Sequence, residues 1–354
     1  MIILGNYIVR SVSLAGMATL FVILGLDLFL SMVDEMGDVG KGEYSSWLAI
    51  QYVLSSVPRR IYEMFPMIAL IGTTLGLGIL GSSQELIVMQ AAGASIMQIF
   101  RTVMRFGILV LAAVVALGEF VAPVAEQYGN RVRTAAISGD SLMRAERGYW
   151  ARDGQRFIHI DKVFPGGLFS GITIYEFDKE WKLQSTLFAD RAHYRQRTWT
   201  LNDIVRSEFL SEQITTARLQ EASWDSTLNP GVINSVMIDP DKLSTRELYD
   251  TIDFLQKNEL EAGRYQLAFW NKVVQPVSSM VMIFLAIPFV FGPMRSIGMG
   301  QRVVTGALVG FGFYIVNKVS GQMSLVYAYP TWLGATIPSV LFLAAGMWMM
   351  ARIR

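Results

Sequence analysis

Residues 96–121 read IMQIFRTVMRFGILVLAAVVALGEFV, and after Arg105 this run holds a single charged residue, Glu119. The hydrocarbon core of a bilayer is about 30 Å thick, and an α-helix needs about 20 mostly apolar residues to cross it. The run therefore predicts a transmembrane helix. The whole sequence of 354 residues is 52% hydrophobic and only 17% charged, which is too apolar for an ordinary soluble protein.

Five further runs have the same character, and each is bounded by charged residues, Gly or Pro. They cover residues 9–33, 57–80, 265–291, 303–319 and 331–350. Together with residues 96–121 they predict an α-helical integral membrane protein with six transmembrane helices. The first run is too long for a cleaved signal peptide, and no small-residue cleavage site precedes a soluble domain, so we expect it to be retained.

The apolar pattern stops after Pro123, and short alternating runs separated by turn residues replace it. Asp153-Gly154 separates two such runs and predicts a β-hairpin with a type I′ turn. Further strands are expected at residues 172–177, 183–188, 191–194, 198–202, 214–221 and 232–238. Short strands at this spacing are typical of a mostly antiparallel sandwich or jelly roll. The sequence thus predicts three plus three helices around an inserted β-jelly-roll domain.

The expected domains are residues 1–125 with the first three membrane helices, residues 126–262 with the β domain, and residues 263–354 with the last three. Near the end of the insert, Ser244 and Glu247 have the spacing of a capping box, which predicts a charged, amphipathic helix to about residue 258. This helix is too polar to span a bilayer.

The basic residues of the short loops fall on one side of the predicted membrane, and the opposite short loops are acidic or uncharged. The basic set is Arg10, Arg101, Arg105, Arg295, Arg302, Arg352 and Arg354. The positive-inside rule therefore predicts cytoplasmic termini. For a bacterial inner membrane, this places the central insert in the periplasm.

Several function classes are disfavoured. The formal net charge of +1 gives no basic field for nucleic acid, and the absence of Cys removes disulfides and thiolate chemistry. Residues 76–81, GLGILG, match the letters of a dinucleotide fingerprint but lie inside a membrane run, where close helix packing explains the glycines. His159 and His193 lie in predicted strands. We predict no catalytic residue, cofactor or metal.

Ionisable residues within or beside the helices are informative because charge in hydrocarbon is costly and usually faces a cavity, a partner or the interface. The set is Asp27, Glu63, Glu119, Lys272 and Lys318. Snorkelling at helix ends is an equal explanation for the last three. Arg59 and Arg60 follow Pro58 at the outer end of the second helix, where they fit either interfacial anchors or a site for an anionic headgroup.

A family resemblance lies in seven short motifs spread along the chain. They are Ser56-Val57-Pro58, Phe65-Pro66-Met67, Leu75-Gly76-Leu77-Gly78, residues 85–93 (ELIVMQAAG), Gly263-Arg264-Tyr265-Gln266, residues 291–296 (FGPMRS) and residues 302–306 (RVVTG). With these motifs the chain resembles the LptF/LptG lipopolysaccharide export permeases over essentially its whole length.

The resemblance implies one permease subunit of an ABC transporter. It would pair with a paralogous subunit, LptF, above two copies of the ATPase LptB, and lipopolysaccharide entering from the outer leaflet would pass to LptC and a periplasmic bridge. Membrane lipids are the other expected contacts. The chain itself would hydrolyse nothing and would shift between two packings as the ATPases dimerise.

The resemblance also implies roles for particular residues. Residues 83–95 resemble the cytoplasmic coupling helix that docks on the ATPase, with Glu85, Leu86, Met89 and Gln90 as its contacts. A solvated loop helix is the alternative. Four basic residues match or lie near those that bind lipid A phosphates, to which guanidinium groups bind well. They are Arg59, Arg131, Arg133 and Lys41. Relatives can carry several lysines after the first helix, whereas Ser31, Gly37 and Asp38 stand near those places here.

Two other function classes remain open. A mechanotransmission permease, which drives a periplasmic partner without carrying lipid through its helices, would use the same insert between paired helices. A membrane-embedded hydrolase is disfavoured, because the predicted helices contain no paired Asp or Ser/His set.

Overall fold

The computed structural model describes residues 2–138, 143–164, 168–178, 180–195, 198–209, 213–224, 239–257, 260–291 and 298–352. The chain divides into two compact units. The helical unit comprises Met1–Gly37, Ala49–Gly129 and Gln266–Arg354, and the β unit comprises Asp38–Leu48 and Asn130–Tyr265. The short segment after the first helix thus belongs to the β unit. The domain limits expected from the sequence stay predictions.

Before the sheet the helices are α1 (Ile2–Met36), α2 (Ser46–Ser55), α3 (Val57–Ser82), α4 (Glu85–Ala91), α5 (Ile96–Ala116) and α6 (Ala122–Ser138). After it they are α7 (Thr245–Lys257), α8 (Gly263–Phe291), α9 (Met299–Val326) and α10 (Thr331–Ala351). Five helical stretches of the described chain are long and apolar enough to cross a membrane: Ile3–Met36, Val57–Ser82, Ile96–Ile137, Gly263–Phe291 and Thr331–Ala351. They confirm five of the predicted spans. The remaining one, residues 303–319, lies in α9, which packs along α3 and α10, and a membrane span there stays a prediction.

Glycines bring α1 and α3 into close contact, which confirms the close helix packing that the sequence predicted and identifies α1 as the partner. A Cβ atom on Gly72 would lie 2.6 Å from Cα of Gly16, and one on Gly76 would lie 2.5 Å from Cα of Val12. Ser11 also donates a hydrogen bond to the carbonyl oxygen of Gly76 at 2.9 Å. Backbone-to-backbone packing of this kind is how small residues hold membrane helices together.

The third predicted helix continues beyond its expected end at residue 121. A π-helical turn, Leu117–Val121, follows α5 and leads directly into α6, which runs to Ser138. This turn lies immediately before Pro123, whose ring and missing N–H interrupt regular α-helical bonding. The changed bonding pattern lets the helix pass the proline.

The six described strands form one antiparallel sheet in sequential order: β1 (Met143–Asp153), β2 (Arg156–Phe164), β3 (Leu168–Phe177), β4 (Leu183–Arg195), β5 (Thr198–Phe209) and β6 (Ile214–Trp224). The inserted antiparallel domain is confirmed. Its described strands form a meander, because each strand pairs with the next one along the chain. The jelly-roll topology of the whole insert stays a prediction. The strand predicted at residues 232–238 lies outside the described residues.

The first hairpin is present, but its turn differs from the predicted type I′. Asp153 pairs with Arg156, so the two central residues are Gly154 and Gln155, one position later than expected. Gly154 has φ +65°. Positive φ at the first central residue alone is the requirement of a type II′ turn, which suits glycine at that position.

One face of the sheet forms the core of the β unit, with Ile158, Ile172, Ala189 and Trp199 fully buried. Phe254 and Leu255 of α7 belong to the same apolar cluster. The predicted capping box begins this helix. The backbone N–H of Ser244 donates to Oε2 of Glu247 at 2.8 Å, and the N–H of Glu247 donates to Oγ of Ser244 at 3.2 Å.

Candidate functional site

Arg59 lies in the first turn of α3 and is held by two carboxylates of the helical unit. Its Nε donates to Oε1 of Glu126 on α6 at 2.6 Å, and its Nη1 donates to Oε1 of Glu63 at 2.6 Å. Glu126 is only 2% exposed. The charge of the guanidinium is therefore balanced within the chain, and a phosphate that binds it would compete with these carboxylates.

The neighbouring Arg60 is also paired, with Asp27 of α1. Two of the ionisable residues singled out in the helices, Asp27 and Glu63, thus serve as counterions to the two arginines. Ion pairs between helices are one of the ways in which charge is tolerated in a membrane protein. Arg59 links α3 to α6, and Arg60 links α3 to α1. Neither the anchor nor the headgroup interpretation included these links.

Lys41 and Arg133 both contact Asp38 in the β unit. We call these three residues the Asp38 cluster. Nζ of Lys41 lies 2.5 Å from Oδ1 of Asp38, and Nη2 of Arg133 donates to Oδ2. The hydrogen bond from Lys41 and the nearby charge of Arg133 lower the pKa of the Asp38 carboxyl, outweighing its desolvation. The structure therefore brings together two of the predicted phosphate ligands, around a carboxylate.

The loop that carries Lys41 is fixed to the end of α6 by backbone contacts. The N–H of Glu43 donates to the carbonyl oxygen of Ala136 at 2.8 Å, and the N–H of Gly40 donates to that of Tyr44 at 2.9 Å. Gly42 has φ +59°, and a Cβ atom there would lie 2.6 Å from the Ala136 oxygen. Only glycine fits this close approach, so the loop position is set independently of the ion pairs.

Arg131 does not join the Asp38 cluster. Two residues along an α-helix correspond to a rotation of about 200°, so Arg131 and Arg133 point to nearly opposite sides of α6. Arg131 is exposed, and within the described part of the chain it has no ion-pair partner. The two arginines predicted to act as a pair therefore lie on different faces.

A further cation lies on the Arg133 side of α6. Nζ of Lys242, in the short 3₁₀ turn Pro240–Lys242, is 3.4 Å from Oδ1 of Asn130, which precedes Arg133 by one helical turn. Sequence reasoning missed Lys242 because nothing local connects residue 242 to residue 130. It missed the role of Asp38 for the same reason, although the acidic residue at a position near lysines of relatives was a visible signal.

The predicted coupling helix is α4, and its apolar residues divide between two sides. Leu86 and Met89 are buried in an apolar cluster with Leu77, Leu80 and Ile99. Ile87 and Val88 are 47% and 66% exposed. The structure therefore places Leu86 and Met89 inside the helical unit, where they attach α4, and leaves Ile87 and Val88 facing outward.

The two polar residues predicted for this helix remain accessible. Glu85 is partly exposed and accepts a hydrogen bond from Oγ of Ser83 at 3.0 Å. Gln90 is also partly exposed. The outward surface of α4 thus combines one carboxylate with apolar and amide groups, which suits contact with another protein.

The π-helical turn packs beside two hydrogen bonds that join α3 to α8. Tyr62 donates from its hydroxyl to the carbonyl oxygen of Lys272 at 3.0 Å, and Nε2 of Gln275 donates to the carbonyl oxygen of Tyr62 at 2.9 Å. Gly118 lies against the Tyr62 ring, where a Cβ atom would be 2.4 Å from Cδ2. Hydrogen bonds and close contacts between helices of this kind contribute to helix association in a membrane.

No group of three His, Asp or Glu side chains in the described ranges is close enough to hold a metal ion. Nδ1 of His159 lies 3.2 Å from Oδ1 of Asp161, and the His159 ring lies 4.6 Å from that of Trp150. Both features belong to the open face of the sheet. The candidate sites of the described residues therefore offer ionic and apolar contacts.

Several apolar helices of membrane-spanning length, together with an inserted antiparallel sheet, define a multi-pass membrane protein. The family model for the lipopolysaccharide export system permease LptF/LptG matches residues 6–352, so the chain belongs to this family.

Curated relatives cover almost the whole chain. It is 38% identical over 353 residues to the lipopolysaccharide export system permease protein LptG of Escherichia coli (strain K12), covering 99% of this chain and 98% of the relative. It is 37% identical over 353 residues to LptG of Haemophilus influenzae, with 99% of each covered. Both relatives are LptG proteins, and the prediction of an LptG-like permease is confirmed.

Proposed function

We propose that the chain is the transmembrane subunit of an ABC transporter that extracts lipopolysaccharide from the outer leaflet of the inner membrane. The observation that carries this proposal is the family match over residues 6–352. The Asp38 cluster supports it, because lysine and arginine side chains beside each other are suited to a lipid A phosphate. The lipid would then pass to a periplasmic bridge toward the outer membrane.

The proposed partners are LptF, which completes the membrane part, the LptB dimer, which hydrolyses ATP, and LptC, which receives the lipid. This chain is then a permease subunit without catalysis of its own. The distribution of Lys and Arg in the short loops supports cytoplasmic termini and a periplasmic β unit.

The apolar surface of the helical unit supports contact with acyl chains and with a second permease. Phe21, Leu26 and Phe29 of α1 are 63–70% exposed in the single chain. A helix that presents such a surface needs lipid or another helix against it. These residues are suited to both the membrane and the lateral entry of a lipid.

Helix α4 supports coupling to the ATPase. Glu85, Ile87, Val88 and Gln90 form the outward surface that we assign to docking, while Leu86 and Met89 attach α4 to the core of the helical unit. Because packed cores transmit displacement instead of absorbing it, a movement of the docked ATPase would be passed to the membrane helices.

Affinity purification from native membranes, with mass spectrometry of proteins and lipids, tests the proposal. We expect LptF, LptB and LptC together with lipopolysaccharide in amounts comparable to the chain. The mechanotransmission alternative predicts an ATPase and a periplasmic partner without enriched lipopolysaccharide, and that result would reject the proposal.

A further inference from the structure

Asp38 bridges two cations in the way an oxyanion would, with one oxygen on Lys41 and the other on Arg133. We propose that Asp38 is an internal competitor for the lipid phosphate: its carboxylate occupies the anion subsite between Lys41 and Arg133 in the lipid-free chain, and an incoming phosphate displaces it. This inference rests on the proposed function and adds a residue that sets how tightly the site holds its lipid.

The cations do not need Asp38 to stay in place. The loop that carries Lys41 is fastened to α6 by the bond from Glu43 N–H to Ala136, by the close approach of Gly42, and by Tyr44, which is 1% exposed. Arg133 belongs to α6 itself. When the Asp38 side chain rotates away, a subsite lined by two cations is left.

The cluster is also open enough for exchange. The side chains of Lys41, Asp38 and Arg133 are 60%, 28% and 31% exposed. Ion pairs at this exposure contribute little to stability because solvent screens them. Asp38 can therefore be displaced without unfolding any part of the β unit.

A phosphate competes well against one carboxylate. It carries more negative charge than a carboxylate and offers three oxygens, so it can bind the guanidinium through two bonds and still contact the ammonium. Lys242 lies on the same side of α6, near Asn130, but Asp239 balances its charge, with Oδ2 of Asp239 3.8 Å from Nζ. The greater negative charge of the phosphate favours it over the carboxylate. The ion pairs of Asp38 set how strongly the lipid phosphate must bind to displace it.

The test compares Asp38→Asn with Glu43→Gln in the intact complex with LptF, LptB and LptC, in nanodiscs of a zwitterionic lipid. Both variants remove one negative charge from the same loop at nearly constant size. The Glu43 side chain is exposed and forms no ion pair among the residues that the structure describes, and the substitution keeps its backbone N–H. Affinity is measured for lipopolysaccharide and for lipopolysaccharide with its lipid A phosphates removed.

We expect Asp38→Asn to bind phosphorylated lipopolysaccharide about fivefold more tightly than wild type, which is the effect of removing one exposed ion pair. Glu43→Gln should match wild type, and the difference should vanish for the dephosphorylated lipid. Unchanged or weaker binding by Asp38→Asn would overturn the inference, because it would make Asp38 neutral or a structural support for the cations.

Two further arms separate this inference from the proposed function. If lipopolysaccharide binds neither the wild type nor either variant, that result rejects the proposed function and, with it, this inference. Inorganic phosphate alone, titrated to millimolar concentration by calorimetry, should show no saturable binding to wild type. Saturable binding of free phosphate would overturn the assignment of the subsite to a lipid headgroup.

Discussion

Arg59 joins α3 to α6 through its bond to Glu126, a carboxylate that is almost fully buried. The same guanidinium reaches Glu63 one turn further along α3. Removing one member of a buried pair leaves the other without its counterion, which costs more than the pair itself contributes. Loss of lipid binding on substitution of Arg59 therefore combines a structural effect with any direct contact.

Arg59→Ala should lower the free energy of unfolding by about 3 kcal/mol, the loss typical of breaking a buried ion pair. Arg60→Ala should cost less, because Arg60 and Asp27 are both about one-fifth exposed. The measurement is the midpoint of thermal unfolding of the purified complex. Equal midpoints for the two variants would contradict the structural role of the Arg59–Glu126 pair.

Lys41 and Arg133 should act together in lipid binding, since both contact Asp38. A double-mutant cycle with Lys41→Ala and Arg133→Ala should give a coupling energy of about 0.5–3 kcal/mol. The cycle of Lys41→Ala with Arg131→Ala should be additive within about 0.5 kcal/mol, because Arg131 lies on another face of α6. Lipopolysaccharide affinity is the readout, and the opposite ranking of the two cycles would show that the Asp38 cluster is not the binding unit.

The outward surface of α4 should dock the ATPase. Val88→Asp should reduce the LptB that co-purifies by tenfold or more while the chain stays folded, because a charge would be desolvated in the contact. Leu86→Ala should instead lower the stability of the chain, by about 2–5 kcal/mol, since Leu86 is buried. Normal LptB retention by Val88→Asp in a folded complex would remove the docking assignment.

Glu85→Ala tests the ionic part of the same contact. Losing a partly buried ion pair typically costs a few kcal/mol in binding, so the variant should retain less LptB and couple less transport to each ATP. Glu85→Gln is the control for its hydrogen bond with Ser83. If Glu85→Ala behaves as wild type in both measurements, the carboxylate has no part in docking.

Because α1 packs closely on α3, substitution of Gly76 should lower the stability of the chain, whereas substitution of Gly25 should not. Gly76→Ala places a Cβ atom 2.5 Å from Cα of Val12 and should destabilise the chain by about 1–3 kcal/mol. Gly25→Ala meets nothing within 4 Å and should be neutral or slightly stabilising. Thermal unfolding in detergent compares them, and tolerance of both substitutions would show that the helices do not pack this closely.

Apolar length, capping and alternation were readable from the sequence because each is a local pattern. They gave the membrane spans confirmed in α1, α3, α5, α8 and α10, the capping box at Ser244 and the first hairpin. The predicted turn type of that hairpin was wrong, because the turn lies one position later than predicted and Gly154 is its first central residue. A dipeptide alone does not fix the strand register.

The candidate sites were less predictable because they depend on contacts between distant residues. The spacing of Leu86 and Met89 correctly put them on one face of a helix, but spacing cannot say whether that face meets the core or a partner. The pairing of Asp38 with Arg133 joins residues 95 positions apart, and Glu126 reaches Arg59 across 67. Only the tertiary structure assembles these charges.

ATP-dependent release of lipopolysaccharide from proteoliposomes tests the central claim most directly. The vesicles would contain this chain with LptF, LptB and LptC, with a soluble acceptor for the lipid outside. The account predicts that lipopolysaccharide reaches the acceptor only with ATP and that Lys41→Ala/Arg133→Ala slows this transfer while LptB still hydrolyses ATP. Hydrolysis in the wild-type complex without any transfer of lipopolysaccharide would contradict extraction and favour a mechanotransmission role.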